Sequence, residues 1–167
     1  MKKPITHDQM DGNRKSPVGT IHVFDPSPLN WLYILFNTME EAVRADHKGK
    51  IIPSLAQSYR WVTDTIFELK LHKEVVYQNN EHFYSGYVRL NFHQLQRWIA
   101  PHPPGTWLNL SKETTLEILD NYTVRFHFPK PDGLAPAKMR AHHLANKLFW
   151  QTIGFGYAKL GSAEGHW

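Results

Sequence analysis

Residues 49–83 read GKIIPSLAQSYRWVTDTIFELKLHKEVVYQNNEHF, and their reading decides the fold. Lys48-Gly49 marks a turn, and Pro53 suits a turn or a strand edge better than a strand centre. Two short runs with alternating apolar residues follow. Tyr59 and Trp61 point one way, Ser58 and Arg60 the other. After the turn residues Thr63-Asp64, Phe67, Leu69 and Leu71 share one face while Glu68, Lys70 and His72 share the opposite one. Period two over both runs predicts a half-buried antiparallel hairpin. It closes at Gln78-Asn79-Asn80, a polar turn, with Phe83 beyond.

Working outward, residues 84–99 carry a helical stripe, Val88, Phe92, Leu95 and Ile99, with Ser85 as a candidate cap. Arg89, His93, Gln94 and Arg97 fall on the polar face. Pro101, Pro103, Pro104 and Gly105 predict a loop ending near Trp107. Ser111 to Thr114 reads as a cap for one or two helical turns, and residues 118–128 return to strand. There Val124, Phe126 and Phe128 alternate with Thr123, Arg125 and His127, so this run pairs with the opening hairpin. Pro129 to Gly133 is a turn, and residues 135–150 read as a helix with Ala137, Ala141, Leu144 and Leu148 on one side. Upstream, residues 18–24 are a strand candidate stopped by Asp25-Pro26-Ser27-Pro28. Residues 29–45 read as a helix from the spacing of Leu32, Phe36, Met39 and Val43, with Asn30 as cap. Residues 1–17 are a polar, flexible lead-in.

The fold class expected is α+β: a small antiparallel sheet from residues 57–62, 66–71 and 122–128, packed with helices and covered by the 84–99 helix.

The chain has 167 residues, 41% of them hydrophobic, enough for one core and the size of a single domain. It contains no cysteine, which excludes disulfides, thiolate metal sites and cysteine nucleophiles. Net charge is +4, but no Lys/Arg run exceeds two residues, which speaks against nucleic acid. No stretch approaches the ~20 apolar residues of a membrane span. Met1-Lys2-Lys3 has the charge of a signal peptide, but no apolar segment follows it, so none is visible.

The ordered pattern from Gly49 to Phe83 resembles the signature region of the family 5 extracellular solute-binding proteins, the peptide, nickel and opine receptors of bacterial ABC importers. The residues that carry it are Gly49-Lys50-Ile51-Ile52-Pro53, Leu55-Ala56-Gln57-Ser58, Phe67-Glu68-Leu69-Lys70-Leu71, Val75-Val76-Tyr77, Gln78-Asn79 and Glu81-His82-Phe83. Asp120-Asn121-Tyr122-Thr123-Val124-Arg125-Phe126 also fits a strand of that family. Departures are Glu74 for a glycine, Asn80 for the glycine of the next turn, and His82 for a proline.

The resemblance implies that residues 18–167 are the N-terminal part of a two-lobed receptor, with the second lobe absent. It also implies a substrate-binding component of an importer for peptides or similar solutes, placed in the periplasm or outside the cell, with the importer's membrane subunits as partners. Closure on a solute needs both lobes. Peptide binding by this chain alone is therefore expected to be weak or absent.

The candidate ligand residues are Phe24 and Asp25 at a strand end, Glu40 in the place of the family's Tyr-Glu pair, Trp107, and Phe155 in the glycine-rich tail. Trp31 and Tyr33 are further candidate wall residues. For Glu40 an exposed helical carboxylate remains the competing reading, and for each aromatic a place in the core.

No metal site is expected. Eleven histidines invite one, yet there is no HExxH, and adjacent His142 and His143 on a helix point about 100° apart. No G-x-S-x-G elbow or dinucleotide fingerprint occurs, so the chain is read as no enzyme and no cofactor is expected. Of the sequons Asn109-Leu110-Ser111 and Asn121-Tyr122-Thr123, the second falls in an expected strand. The alternative reading is a stand-alone interaction module, self-associating as a homodimer or binding a protein partner.

Overall fold

The computed structural model describes residues 39–97 and 108–152, with Gly19 and the backbone of 99–100 and 105–106. The expected lead-in, the strand at 18–24 apart from Gly19, the first part of the 29–45 helix and the glycine-rich tail lie outside these residues.

The architecture is α+β, centred on a four-stranded antiparallel sheet. Strand β1 (Val43–Ala45) pairs with β2 (Ile51–Pro53) as a small ribbon. Strands β3 (Ala56–Thr63) and β4 (Ile66–Leu71) form the expected hairpin. Helix α1 (Ser85–Gln96) follows, then two short strands, β5 (Ile99–Ala100) and β6 (Gly105–Thr106), which pair with each other. Strands β7 (Thr115–Asp120) and β8 (Thr123–His127) complete the sheet, whose order is β3-β4-β8-β7. Helix α2 (Ala135–Lys138), a 3₁₀ turn (Met139–Ala141) and helix α3 (Lys147–Thr152) close the described chain.

Register explains the core. Trp61, Phe67, Phe126 and Leu116 lie in one cross-strand row, and Tyr59, Leu69, Val124 and Ile118 in the next on the same face. Helix α1 lays Val88, Phe92 and Leu95 on this side, all buried, with the Phe92 and Phe126 rings edge to face at 5.4 Å. The opposite face carries Arg60, Glu68, Arg125 and Glu117 in register. Glu68 is only 3% exposed, because Arg60 and Arg125 donate to its carboxylate from both sides at 2.8 and 2.9 Å.

Several expectations give way to tertiary pairing. Val43–Ala45 are strand, not the end of a helix. The Asp46–Gly49 turn, with Gly49 at φ +80°, folds β2 back onto them, and the Asp46 carboxylate accepts the N–H of Lys48 and Lys50. The 118–128 strand is broken in two, because the Asp120 carboxylate accepts the Tyr122 N–H at 2.7 Å and makes a hairpin turn. The second sequon's Asn121 therefore sits in a turn rather than a strand.

Ser111 to Thr114 forms a single turn leading into β7 rather than a helix: Ser111 Oγ accepts from the Glu113 N–H and its carbonyl from the Thr114 N–H. Tyr84, extended at φ −156°, is the cap position of α1, and Ser85 is its first helical residue. The Ser85 N–H is satisfied instead by the Asn121 carbonyl of the β7–β8 turn. Ile99 is strand rather than the end of the helix, its backbone pairing with that of Thr106, while the expected proline loop at 101–104 lies outside the described residues.

The 135–150 helix is interrupted at residues 142–146. Glu41 and His143 form an antiparallel bridge, and the Leu144 N–H donates to the Glu40 carbonyl. The backbone there is claimed by another segment, so it cannot continue the helix, and Ala137 and Leu148 end exposed.

Candidate functional site

The interruption at residues 142–146 helps to shape a concave site. The segment is pinned on one side by Glu40 and Glu41, as above. From the other side Asn91 of α1 reaches it. Asn91 Nδ2 donates to the Ala145 carbonyl at 2.7 Å, its Oδ1 accepts the Ala145 N–H at 2.9 Å, and the same Oδ1 accepts Trp150 Nε1 at 2.9 Å. Asn91 is fully buried, and its amide replaces the hydrogen bonds a helical backbone would have made.

Above this floor lies a cavity of about 760 Å³. Met39 and Glu40 form one wall, residues 75–78 the second, and Leu144, Ala145, Asn146 and Phe149 the third. Tyr77 spans the site, its hydroxyl donating to the Ala145 carbonyl at 3.4 Å and its ring edge-on to Phe83 at 6.0 Å. Burial raises the Tyr77 phenol far above its ordinary value, so it stays neutral. The lining mixes apolar and aromatic side chains with polar surface in comparable measure, the polar side chains including Glu40, Gln78 and Asn146. Glu40 is the charged residue of that lining, and it is exposed.

Behind the wall are two buried histidines. His142 stands edge to face with Phe126 and near Phe92, its ring centroid 6.1 and 6.4 Å from theirs. Burial lowers its pKa to about 3 and that of His143 to about 4. Burial likewise holds the Glu41 carboxyl above the ordinary carboxylate range, against the pull of its own backbone N–H and of Arg140. Among the described residues no three histidines or carboxylates converge in a way that could hold a metal ion.

Of the residues singled out from sequence, Glu40 lines this cavity, from an irregular segment rather than a helix. Phe24, Asp25, Trp107 and Phe155 lie outside the described residues, as do Trp31 and Tyr33. Tyr77, Asn146 and Phe149 went unnoticed. Tyr77 was legible as part of Val75-Val76-Tyr77, whereas Asn146 and Phe149 were hidden inside an expected continuous helix.

No protein-family model matches the chain, and no curated protein sequence matches it. Solved structures do. An ABC transporter substrate-binding protein from Sinorhizobium meliloti is similar at 24% identity and a TM-score of 0.55, over 66% of this chain and 23% of that one. NikA from Brucella suis, in complex with Fe(III)-EDTA, is similar at 23% identity and a TM-score of 0.60, over 74% of this chain and 24% of its own. The periplasmic binding protein DppA from Helicobacter pylori, in complex with the peptide STSA, is similar at 18% identity and a TM-score of 0.60, over 82% of this chain and 30% of its own. The match thus spans between 23% and 30% of the length of these structures. The resemblance read from residues 49–83 is found again in three dimensions: the chain has the fold of part of an ABC transporter substrate-binding protein.

Proposed function

We propose that this chain is the N-terminal lobe portion of a solute-binding receptor for an ABC importer, a family 5 extracellular solute-binding protein. In this reading it works outside the cytoplasm and hands peptides or similar small solutes to the importer's membrane subunits. The observation that supports it is the likeness in fold to substrate-binding proteins over 74% and 82% of this chain. The cavity bounded by Glu40, Tyr77, Asn146 and Phe149 gives that likeness a site. It sets aromatic and apolar side chains beside polar groups that could anchor a bound solute. Phe24, Asp25, Trp107 and Phe155 are proposed as further contributors from the rest of the chain. One lobe's surface buries a ligand on one side only, so affinity of the isolated chain is weak.

A proton–nitrogen NMR titration of the 167-residue chain with di- and tripeptides, nickel(II) and an opine tests this, because it detects weak binding. The expected result is saturable shifts of the Gln78 and Asn146 side-chain amides with one ligand class. Absence of shifts there with all three classes sinks the proposal. The second reading, a self-associating interaction module, is favoured by one observation, the edge of β3 that pairs with no strand among the described residues, where Gln57 to Thr63 are exposed apart from half-buried Tyr59.

A further inference from the structure

The four-stranded sheet ends in two edges that complement one another. Across it, Arg60 of β3, Glu68 of β4, Arg125 of β8 and Glu117 of β7 stand in one register row, an alternating ladder of charge. The ladder ends in a cation on one edge and an anion on the other. Arg60 is 65% exposed and Glu117 is 49% exposed, so both ends face solvent. Among the described residues no strand pairs with the outer side of β3 or of β7. Each edge also presents an apolar side chain beside its charge, Trp61 and Val62 on β3 and Leu119 on β7.

We propose that these two edges are an interface for a second copy of this chain, β7 of one molecule pairing antiparallel with β3 of the next so that Glu117 faces Arg60. Strand direction permits it. Each strand is antiparallel to its neighbour in the order β3-β4-β8-β7, so β7 runs antiparallel to β3, as a fifth strand beside it would.

Hydrogen-bond phase permits it too. Along an antiparallel row, hydrogen-bonded and non-hydrogen-bonded pairs alternate, because each residue aims its N–H and C=O to one side. The row holds three pairs, so the pair Glu117–Arg60 of the next copy takes the opposite type from Arg125–Glu117, and Arg60–Glu68 of that copy resumes the original phase. The neighbouring rows place Leu116 opposite Trp61 and Ile118 opposite Tyr59 of the next copy, apolar against aromatic.

Register irregularities at Ala56/Ser58 and Trp61/Thr63 in β3, and at Ile118/Asp120 in β7, limit the regular contact to the stretch between them. Association is therefore weak and concentration-dependent. Because two different edges meet, it is head-to-tail and does not close at the dimer.

The test is sedimentation equilibrium of the full chain over a concentration series, with Arg60→Glu, Glu117→Arg and their equimolar mixture. The expected result is a wild-type mass that keeps rising past the dimer. Each single variant weakens association by roughly tenfold, since it sets like charges directly opposite. The mixture restores it, because each variant's altered edge then meets an oppositely charged one. A wild-type chain that stays monomeric, a mass that stops at the dimer, or a mixture no stickier than its components would each overturn the proposal. Circular dichroism confirms that the variants fold. If Arg60→Glu fails because it faces Glu68, or Glu117→Arg because it faces Arg125, Glu117→Gln decides the matter, since it removes the edge charge without setting like charges opposite one another: unchanged self-association then rejects the interface.

Discussion

Asn91 and Ala145, 54 residues apart in the chain, exchange two hydrogen bonds, side-chain amide against backbone amide. This pair fixes where the last helix breaks, and with it the floor of the cavity. Removing the amide takes from the Ala145 N–H and the Trp150 indole N–H their shared acceptor in a dry interior, and leaves the Ala145 carbonyl only the long bond from the Tyr77 hydroxyl. Each buried group left unsatisfied costs about 1–3 kcal/mol. Asn91→Ala is predicted to lose roughly 3 kcal/mol or more, lowering Tm by on the order of 10 °C. Asn91→Asp keeps the acceptor and loses the donor, and is predicted to fall between the two. A thermal melt of Asn91→Ala within a degree or two of wild type would show that the pair does not hold the segment.

Glu68 is buried as well, yet its loss should be mild. Its partners Arg60 and Arg125 are 65% and 29% exposed, so they return to water when the carboxylate goes. The Arg60 hydrogen bond, chiefly, holds the Glu68 carboxyl below the ordinary carboxylate range, against burial and with help from Arg125. Glu68→Leu trades that ion for apolar surface in a β-strand and is predicted to change stability by about 1 kcal/mol or less. Urea denaturation measures it. A loss as large as that of Asn91→Ala would refute the distinction between a water-reachable pair and a sealed one.

Acid should weaken the fold well above the range where ordinary carboxylates titrate. His142 and His143 have native pKa values of about 3 and about 4, depressed by burial from 6.5. Below pH 6.5 the unfolded chain takes up a proton at each that the native chain refuses, so this stability is present above that pH and lost as pH falls. The loss approaches ~1.4 kcal/mol per pH unit for each histidine. Glu41, raised by burial, acts the other way: the native form binds its proton more readily, so that contribution fades as pH rises past 4.5. His142→Phe, set among Phe92 and Phe126, is predicted to flatten the slope between about pH 6.5 and about pH 5 by up to half. Urea midpoints across that range measure the slope, and equal slopes in wild type and variant would defeat the assignment to His142.

How far the sequence reveals this fold depends on how local the deciding forces are. The β3–β4 hairpin was legible because Phe67, Leu69 and Leu71 alternate strictly and a turn follows Thr63. Helix α1 was legible from Val88, Phe92 and Leu95 for the same kind of reason. Val43 misled because its spacing from Met39 is helical, while its actual partner, Pro53, comes into reach only through the Gly49 turn. The 135–150 stretch misled because its apolar spacing is helical throughout, and the bonds that interrupt it come from Glu40 and Asn91. Glu40 was the part of the site that sequence indicated and the described structure contains. Tyr77, Asn146 and Phe149 join it only through those non-local bonds.

Asn146 carries two separable roles, which makes it the sharpest probe of the cavity. Its Oδ1 accepts the Phe149 N–H at 2.8 Å, capping helix α3, while its side chain also faces the cavity. A capping side chain is worth about 1 kcal/mol, and aspartate or serine caps about as well as asparagine. Asn146→Ala is therefore predicted to lose about 1 kcal/mol, and Asn146→Asp to keep its stability or gain slightly from the charge at the helix N-terminus. The aspartate, however, adds a second carboxylate to a lining whose charge otherwise comes from Glu40. A ligand held here through a polar anchor should respond to Asn146→Asp in affinity without a loss in Tm, and to Asn146→Ala in both. Melts and NMR titrations on the same two variants give the comparison. An Asn146→Asp protein that matches wild type in both would show that no ligand reads this wall.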